Sequence, residues 1–104
     1  MTLYGLKTCD TCRKALKSLD KVEFRDIRSD GIPPDVLKSA YAALGDELVN
    51  RRSTTWRGLS HDARAADPLT LLAEHPTLMK RPLITDGTRF FLGWGKDVQA
   101  DLMR

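Results

Sequence analysis

The chain has 104 residues, of which 41% are hydrophobic and 30% charged, and a formal net charge of +3. That length supports one domain with a single modest core, and the balanced composition excludes disordered, collagen-like and disulfide-framework classes. The positive excess is too small and diffuse to argue for nucleic acid, and no apolar run is long enough to span a bilayer.

Leu3-Tyr4-Gly5-Leu6 opens the chain as a short apolar strand, and Lys7-Thr8 bends it. Cys12, Ala15, Leu16 and Leu19 then recur at helical spacing. A first helix is therefore expected from about Thr11 to Leu19, with Cys9 at or just before its first turn. Val22 to Ile27 reads as a second strand, with Val22, Phe24 and Ile27 facing inward. Strand, helix and strand in so short a span imply two parallel strands. Gly31-Ile32-Pro33-Pro34 breaks the chain, and Val36, Leu37, Ala40, Tyr41 and Leu44 mark a second helix stopped by Gly45.

Leu48-Val49 fits a short helical turn, whereas Asn50 to Gly58 has no periodicity and reads as a loop or frayed helical link. Its three arginines beside Trp56 admit two readings: a solvated basic face with Trp56 anchored in the core, or an anion-binding segment. Asp67-Pro68 starts a further helix, Asp capping and Pro at the first helical position, and His75-Pro76 ends it. Lys80 to Thr85 reads as a basic pair, a proline and then a third strand, Asp86-Gly87 as a turn and Arg89 to Gly93 as a fourth strand, the two strands forming a hairpin. Lys96 to Leu102 closes the chain as a helix. The order β-α-β, helices, β-β-α is that of a thioredoxin-like α/β fold with helical material inserted before the hairpin.

The chemistry-bearing motif is Cys9-Asp10-Thr11-Cys12, which contains both cysteines of the chain. The first amides of a helix have no intrahelical partner, so a thiolate at that end is stabilised and its pKa falls. Cys9 is the nucleophile candidate, with Lys7, Arg13 and Lys14 adding positive charge nearby. Cys12 lies one turn in, beside Leu16, and reads either as a second reactive thiol or as a small core residue. A loop this short constrains the unfolded chain very little, which argues against a structural disulfide. The two histidines fit no zinc spacing, so no metal is expected. Thr2-Leu3-Tyr4 opens the chain without a basic and apolar leader, so a reducing cytoplasm is the expected compartment.

Cys9-Asp10-Thr11-Cys12-Arg13-Lys14-Ala15, His75-Pro76-Thr77-Leu78-Met79-Lys80-Arg81-Pro82 and Arg89-Phe90-Phe91-Leu92-Gly93-Trp94 together resemble the ArsC/Spx family. That family includes glutaredoxin-linked arsenate reductases, the Spx transcriptional regulators and small YffB-type proteins. Chain length and Asn50 to Arg57 look most like the YffB-type branch. The resemblance implies a thioredoxin-like fold: a four-stranded mixed sheet with a helical insertion before the C-terminal β-hairpin. It matches Cys9 to the family's catalytic cysteine, and Arg81 to an arginine that binds an oxyanion or stabilises the thiolate. It also matches Pro82 to a cis proline facing the thiol, and Arg51 or Arg52 to a further arginine.

Cys9, Cys12 and Arg81 are thus the catalytic candidates, and Lys7, Thr8, Arg13, Arg51, Arg52 and Pro82 the substrate-binding ones. The expected function is a thiol-dependent oxidoreductase, with glutathione as co-substrate and a glutaredoxin- or thioredoxin-type reductant as alternative partner. Arg51 and Arg52 would hold the carboxylates of glutathione. The competing readings are a redox-sensing regulator docking to RNA polymerase, and an arsenate reductase. Gly93-Trp94 stands where the reductases carry another arginine, which counts against arsenate. Cys12 is a residue they lack and Spx has, and it permits an intramolecular disulfide, so an adduct on Cys9 is expected to be resolved by glutathione or by Cys12.

Overall fold

Residues 1–102 are described by a computed structural model. Two compact units emerge, one comprising Met1–Asp30 with the segment from Arg81 onward, the other Gly31–Lys80.

In the first unit, β1 (Thr2–Gly5) lies parallel to β2 (Glu23–Asp26) and antiparallel to β3 (Leu83–Thr85), which pairs antiparallel with β4 (Phe90–Leu92). The strand order is β2-β1-β3-β4, a mixed four-stranded sheet of thioredoxin-like architecture. Parallel neighbours need a crossover, which α1 (Asp10–Ser18) supplies. The register aligns Phe24, Leu3, Ile84 and Phe91 in one row across all four strands. Partners on one row share a face. Cys12, Ala15 and Leu19 pack on that row, as do Val98 and Leu102 of the C-terminal helix Lys96–Leu102.

Local chemistry sets the boundaries. α1 stops at Ser18, and Leu19 caps it by donating its amide to Ala15. The second strand ends earlier than its apolar pattern implies. The Asp26 carboxylate accepts the amides of Arg28 and Ser29 at 2.9 and 3.3 Å, starting the one-turn helix α2 (Ile27–Asp30). Ile27 is fully buried as expected, but from a helical turn. In the hairpin, Asp86 accepts the amides of Thr88 and Arg89, while Gly87 takes a φ of 101° that favours glycine. The Arg81-Pro82 peptide is cis, and the Pro82 carbonyl accepts the Gly93 amide at 2.8 Å.

In the second unit, α3 (Pro34–Leu44) ends at Gly45, whose φ is 64°, and a 3-10 turn follows over Gly45–Leu48. The stretch read as a loop contains α4 (Thr54–Arg57), capped by the Ser53 hydroxyl, and α5 (His61–Arg64) follows, capped by Ser60. Single turns bury no apolar stripe, so periodicity could not show them. Trp56 is only partly buried. α6 (Pro68–Glu74) starts at the Asp67 cap and packs against α3. An isolated antiparallel bridge joins Val49 to Met79, flanked by Asn50 N–H to Leu78 O and Lys80 N–H to Leu48 O at 2.8 and 2.9 Å. No helix among the described residues is long and apolar enough to cross a membrane.

One packing contact is tight enough to test. A Cβ added to Gly5 would collide with the sulfur of Cys12. Gly5→Ala should therefore lower stability by about 1–3 kcal/mol. Pairing it with Cys12→Ala should recover part of that loss in urea unfolding, because the two sites share one space. A strictly additive double variant would refute the clash.

Candidate functional site

The reactive end of the first unit is built by the chain leaving β1. Cys9 donates its amide to the Leu6 carbonyl at 3.1 Å, closing the Lys7-Thr8 turn. Its own carbonyl accepts the Arg13 amide at 3.0 Å, as the first bond of α1. Cys9 is thus the N-cap residue, extended at φ −84° and ψ 118°, partly exposed and packed against the edge of the core. That position puts the sulfur in the field of the helix end.

Burial is the largest single influence on the Cys9 thiol and opposes its ionisation. It is outweighed by the backbone amide of Cys12, the Cys12 thiol, the Thr11 amide and the charge of Arg81, so the pKa falls below the ordinary thiol value. Cys12 goes the other way. It is fully buried, and burial pushes its pKa up to about 11. The Leu6 amide opposes that rise, whereas the Cys9 sulfur, as a hydrogen-bond partner and as a charge, adds to it. Both cysteines are unbridged. The pair is arranged as a more acidic thiol outside and a less acidic one inside that can donate its S–H to it.

Around this pair, Arg81 precedes the buried cis Pro82, and its charge acts on both sulfurs. Arg13 has turned to its own backbone: its Nε donates to the Lys7 carbonyl at 2.8 Å and braces the turn. Its contact with Asp10, at 3.7 Å between largely exposed groups, adds little. Lys7 and Thr8 are exposed, and the Lys7 charge helps hold Asp26 ionised. Arg51 and Arg52 belong to the second unit, where they line a cleft with Asp46, Glu47, Val49, Asn50 and Lys80. Sequence reasoning missed Gly5 and Leu6 as shapers of the Cys12 environment, and Asp46, Glu47 and Tyr41 near the arginines. Only a glycine four residues before the first cysteine hinted at the close approach. No group of three or more His, Cys, Asp or Glu placed to hold a metal occurs among the described residues.

Comparison with known proteins agrees with this architecture. Residues 4–101 match the family model of the ArsC family. An uncharacterised protein of Haemophilus influenzae is 42% identical over 110 residues, covering 96% of both chains. The global transcriptional regulator Spx of Bacillus subtilis is 31% identical over 93% of this chain and 82% of its own. Among solved structures, a YffB protein superposes with a TM-score of 0.88 at 31% identity, over 99% of this chain and 98% of that one. An arsenate reductase-related protein of Brucella melitensis gives 0.70 at 28% identity, over 96% and 90%.

The opposed shifts make a pH prediction with a definite sign. Cys9 ionises more readily folded than unfolded, so it adds stability above the ordinary thiol pKa and loses it as pH falls through the folded value. Cys12 stays protonated when folded, so its contribution is present below the ordinary value and is lost as pH climbs toward about 11. Thiolate absorbance should titrate Cys9 first, below the ordinary thiol range. Cys12→Ala should raise its midpoint more than Arg81→Met does, because the Cys12 thiol outranks the Arg81 charge. The reverse order would reject the S–H donor.

Proposed function

The chain belongs to the ArsC family, and from that premise we propose that it is a thiol-dependent oxidoreductase that uses Cys9 as nucleophile and glutathione as the resolving thiol. One observation carries this reading: Cys9 is poised to ionise at a helix N-terminus while Cys12, three residues on, is buried and held neutral.

The Cys9 thiolate attacks one sulfur of a substrate disulfide, the S–S bond breaks, and the other half leaves as a thiolate that takes a proton from solvent. A glutathione thiolate then attacks the mixed disulfide, and Cys9 departs with its electron pair. Its lowered pKa makes it a good leaving group in that second step. With a glutathione mixed disulfide as substrate Cys9 keeps the glutathionyl half, so one glutathione thiol is consumed, one substrate thiol is released and glutathione disulfide is formed. Cys12 supplies a hydrogen bond to the Cys9 sulfur; with a pKa near 11 it has almost no thiolate at neutral pH with which to compete. A reducing compartment such as the cytoplasm keeps the resolving thiol in supply.

The likeness to Spx, together with the Cys9–Cys12 pair, favours a second reading, in which oxidation of the pair alters docking to RNA polymerase. Polymerase capture that is the same for reduced and oxidised protein would remove it. Arsenate reduction is disfavoured by Gly93 and Trp94, neither of which brings a positive donor to a tetrahedral anion.

Turnover of a small glutathione mixed disulfide is the direct test. Cys9→Ser should reduce it to background. Cys12→Ser should leave it within roughly tenfold of wild type, since a modest change in thiol pKa alters exchange rates only fractionally. Equal loss in both variants would make Cys12 the resolving thiol and overturn the external route.

A further inference from the structure

The cleft of the second unit presents both signs of charge and leaves them unpaired. Arg51, Arg52 and Lys80 line it together with Asp46 and Glu47. Among the described residues, none of these three cations closes an ion pair with either carboxylate. Exposed ion pairs are worth little, so these groups remain available to a ligand that brings both charges. Here two aromatic residues hold the poles. The Arg51 guanidinium lies over the Trp56 ring, 5.4 Å from its centroid. Stacking fixes its plane and leaves its N–H fork open. Asp46 accepts the Tyr41 hydroxyl at 2.9 Å, which anchors one carboxylate oxygen and leaves the other free. The two poles are near enough for the Tyr41 phenol to feel both, Asp46 raising its pKa and Arg51 lowering it.

The walls are also set. The bridge between Val49 and Met79 fixes the backbone on both sides of the cleft, from Leu48 to Asn50 and from Leu78 to Lys80. The Asn50 side chain accepts the Arg52 amide at 3.1 Å and shapes the turn that carries both arginines.

We propose that this cleft binds an α-amino-acid head group, with its carboxylate on Arg51 and Arg52 and its ammonium on Asp46 and Glu47. A simple oxyanion would meet two carboxylates with no reason to be there, and a simple cation would meet three positive charges. A ligand bearing both charges on one carbon satisfies both sets. The γ-glutamyl end of glutathione is such a group. The choice of that ligand rests on the thiol-exchange reading above; the charge pattern does not.

The test is an amide NMR titration with S-methylglutathione, whose blocked sulfur cannot exchange with Cys9. Shifts should centre on residues 46–52 and on Lys80. Asp46→Asn and Arg51→Ala should each weaken binding by about tenfold or more, the worth of one charge-assisted hydrogen bond. Tyr41→Phe should weaken it less, since Asp46 stays charged but loses its anchor. The S-methylated glutaryl-Cys-Gly analogue, which lacks the amine, should bind about tenfold more weakly than S-methylglutathione and be indifferent to Asp46→Asn. No shifts at residues 46–52, or equal affinity for the amine-free analogue, would overturn the proposal. Turnover is read on the same protein. Cleft binding without Cys9 turnover sinks only the thiol-exchange reading, and turnover without cleft binding sinks only this one.

Discussion

Where β1 hands over to α1, the sulfur of Cys12 occupies the place that a side chain on Gly5 would take. That close approach lets the first turn of the helix seat directly on the strand end, with Leu3, Ile84 and Phe91 completing the apolar surround. Two consequences follow from geometry alone. Cys12 is driven fully into the core, where a thiolate is disfavoured. Cys9, one turn back, is left at the cap, where the amides of Cys12 and Thr11 have no helical partner. Side chains of one type, three residues apart, thereby acquire opposite acid–base behaviour.

The coupling between them runs in both directions. A hydrogen bond from the Cys12 thiol favours the Cys9 thiolate, and the Cys9 charge in turn holds the proton on Cys12. A buried donor of this kind costs little in the resting fold, because the same burial that raises its pKa keeps it a donor. Arg81, next to the cis Pro82, adds its charge, and its effect is the smaller of the two. The thiolate therefore depends chiefly on fixed dipoles and one short-range donor, which salt screens less than it screens a surface charge.

Much of this was legible in the chain. Apolar runs and helical spacing located β1, α1 and the hairpin, Asp67-Pro68 marked the start of α6, and Gly45 marked the end of α3. Each of these elements carries its own local signal, a period or a cap. Local competition hid the rest. Asp26 captures two amides and turns Ile27 out of the strand, although Ile27 has the apolar character of a strand residue. Ser53 and Ser60 cap helices too short to show a period. The division of labour between Cys9 and Cys12 was half visible: spacing put Cys12 on the inner face, but the donors acting on each sulfur come from contacts that no spacing encodes.

The basic residues make the same point more sharply, because a count of arginines says nothing about how many remain available. Arg64, the last residue of α5, donates to the carbonyls of Trp56 and Arg57 at 3.2 and 3.3 Å, so it stabilises the end of α4. Arg13 is committed to the Lys7 carbonyl, and the charge of Lys7 is felt by Asp26. These cations serve the backbone and the fold. Arg51 shares the Trp56 ring with Arg64, yet among the described residues only Arg64 of the two is tied to backbone oxygens. One aromatic ring thus holds two guanidinium groups with different tasks, one closing a helix end and the other keeping its donors open toward a cleft that also contains carboxylates. Two arginines that look alike in one dimension differ in three, and what separates them is whether a main-chain carbonyl stands within reach.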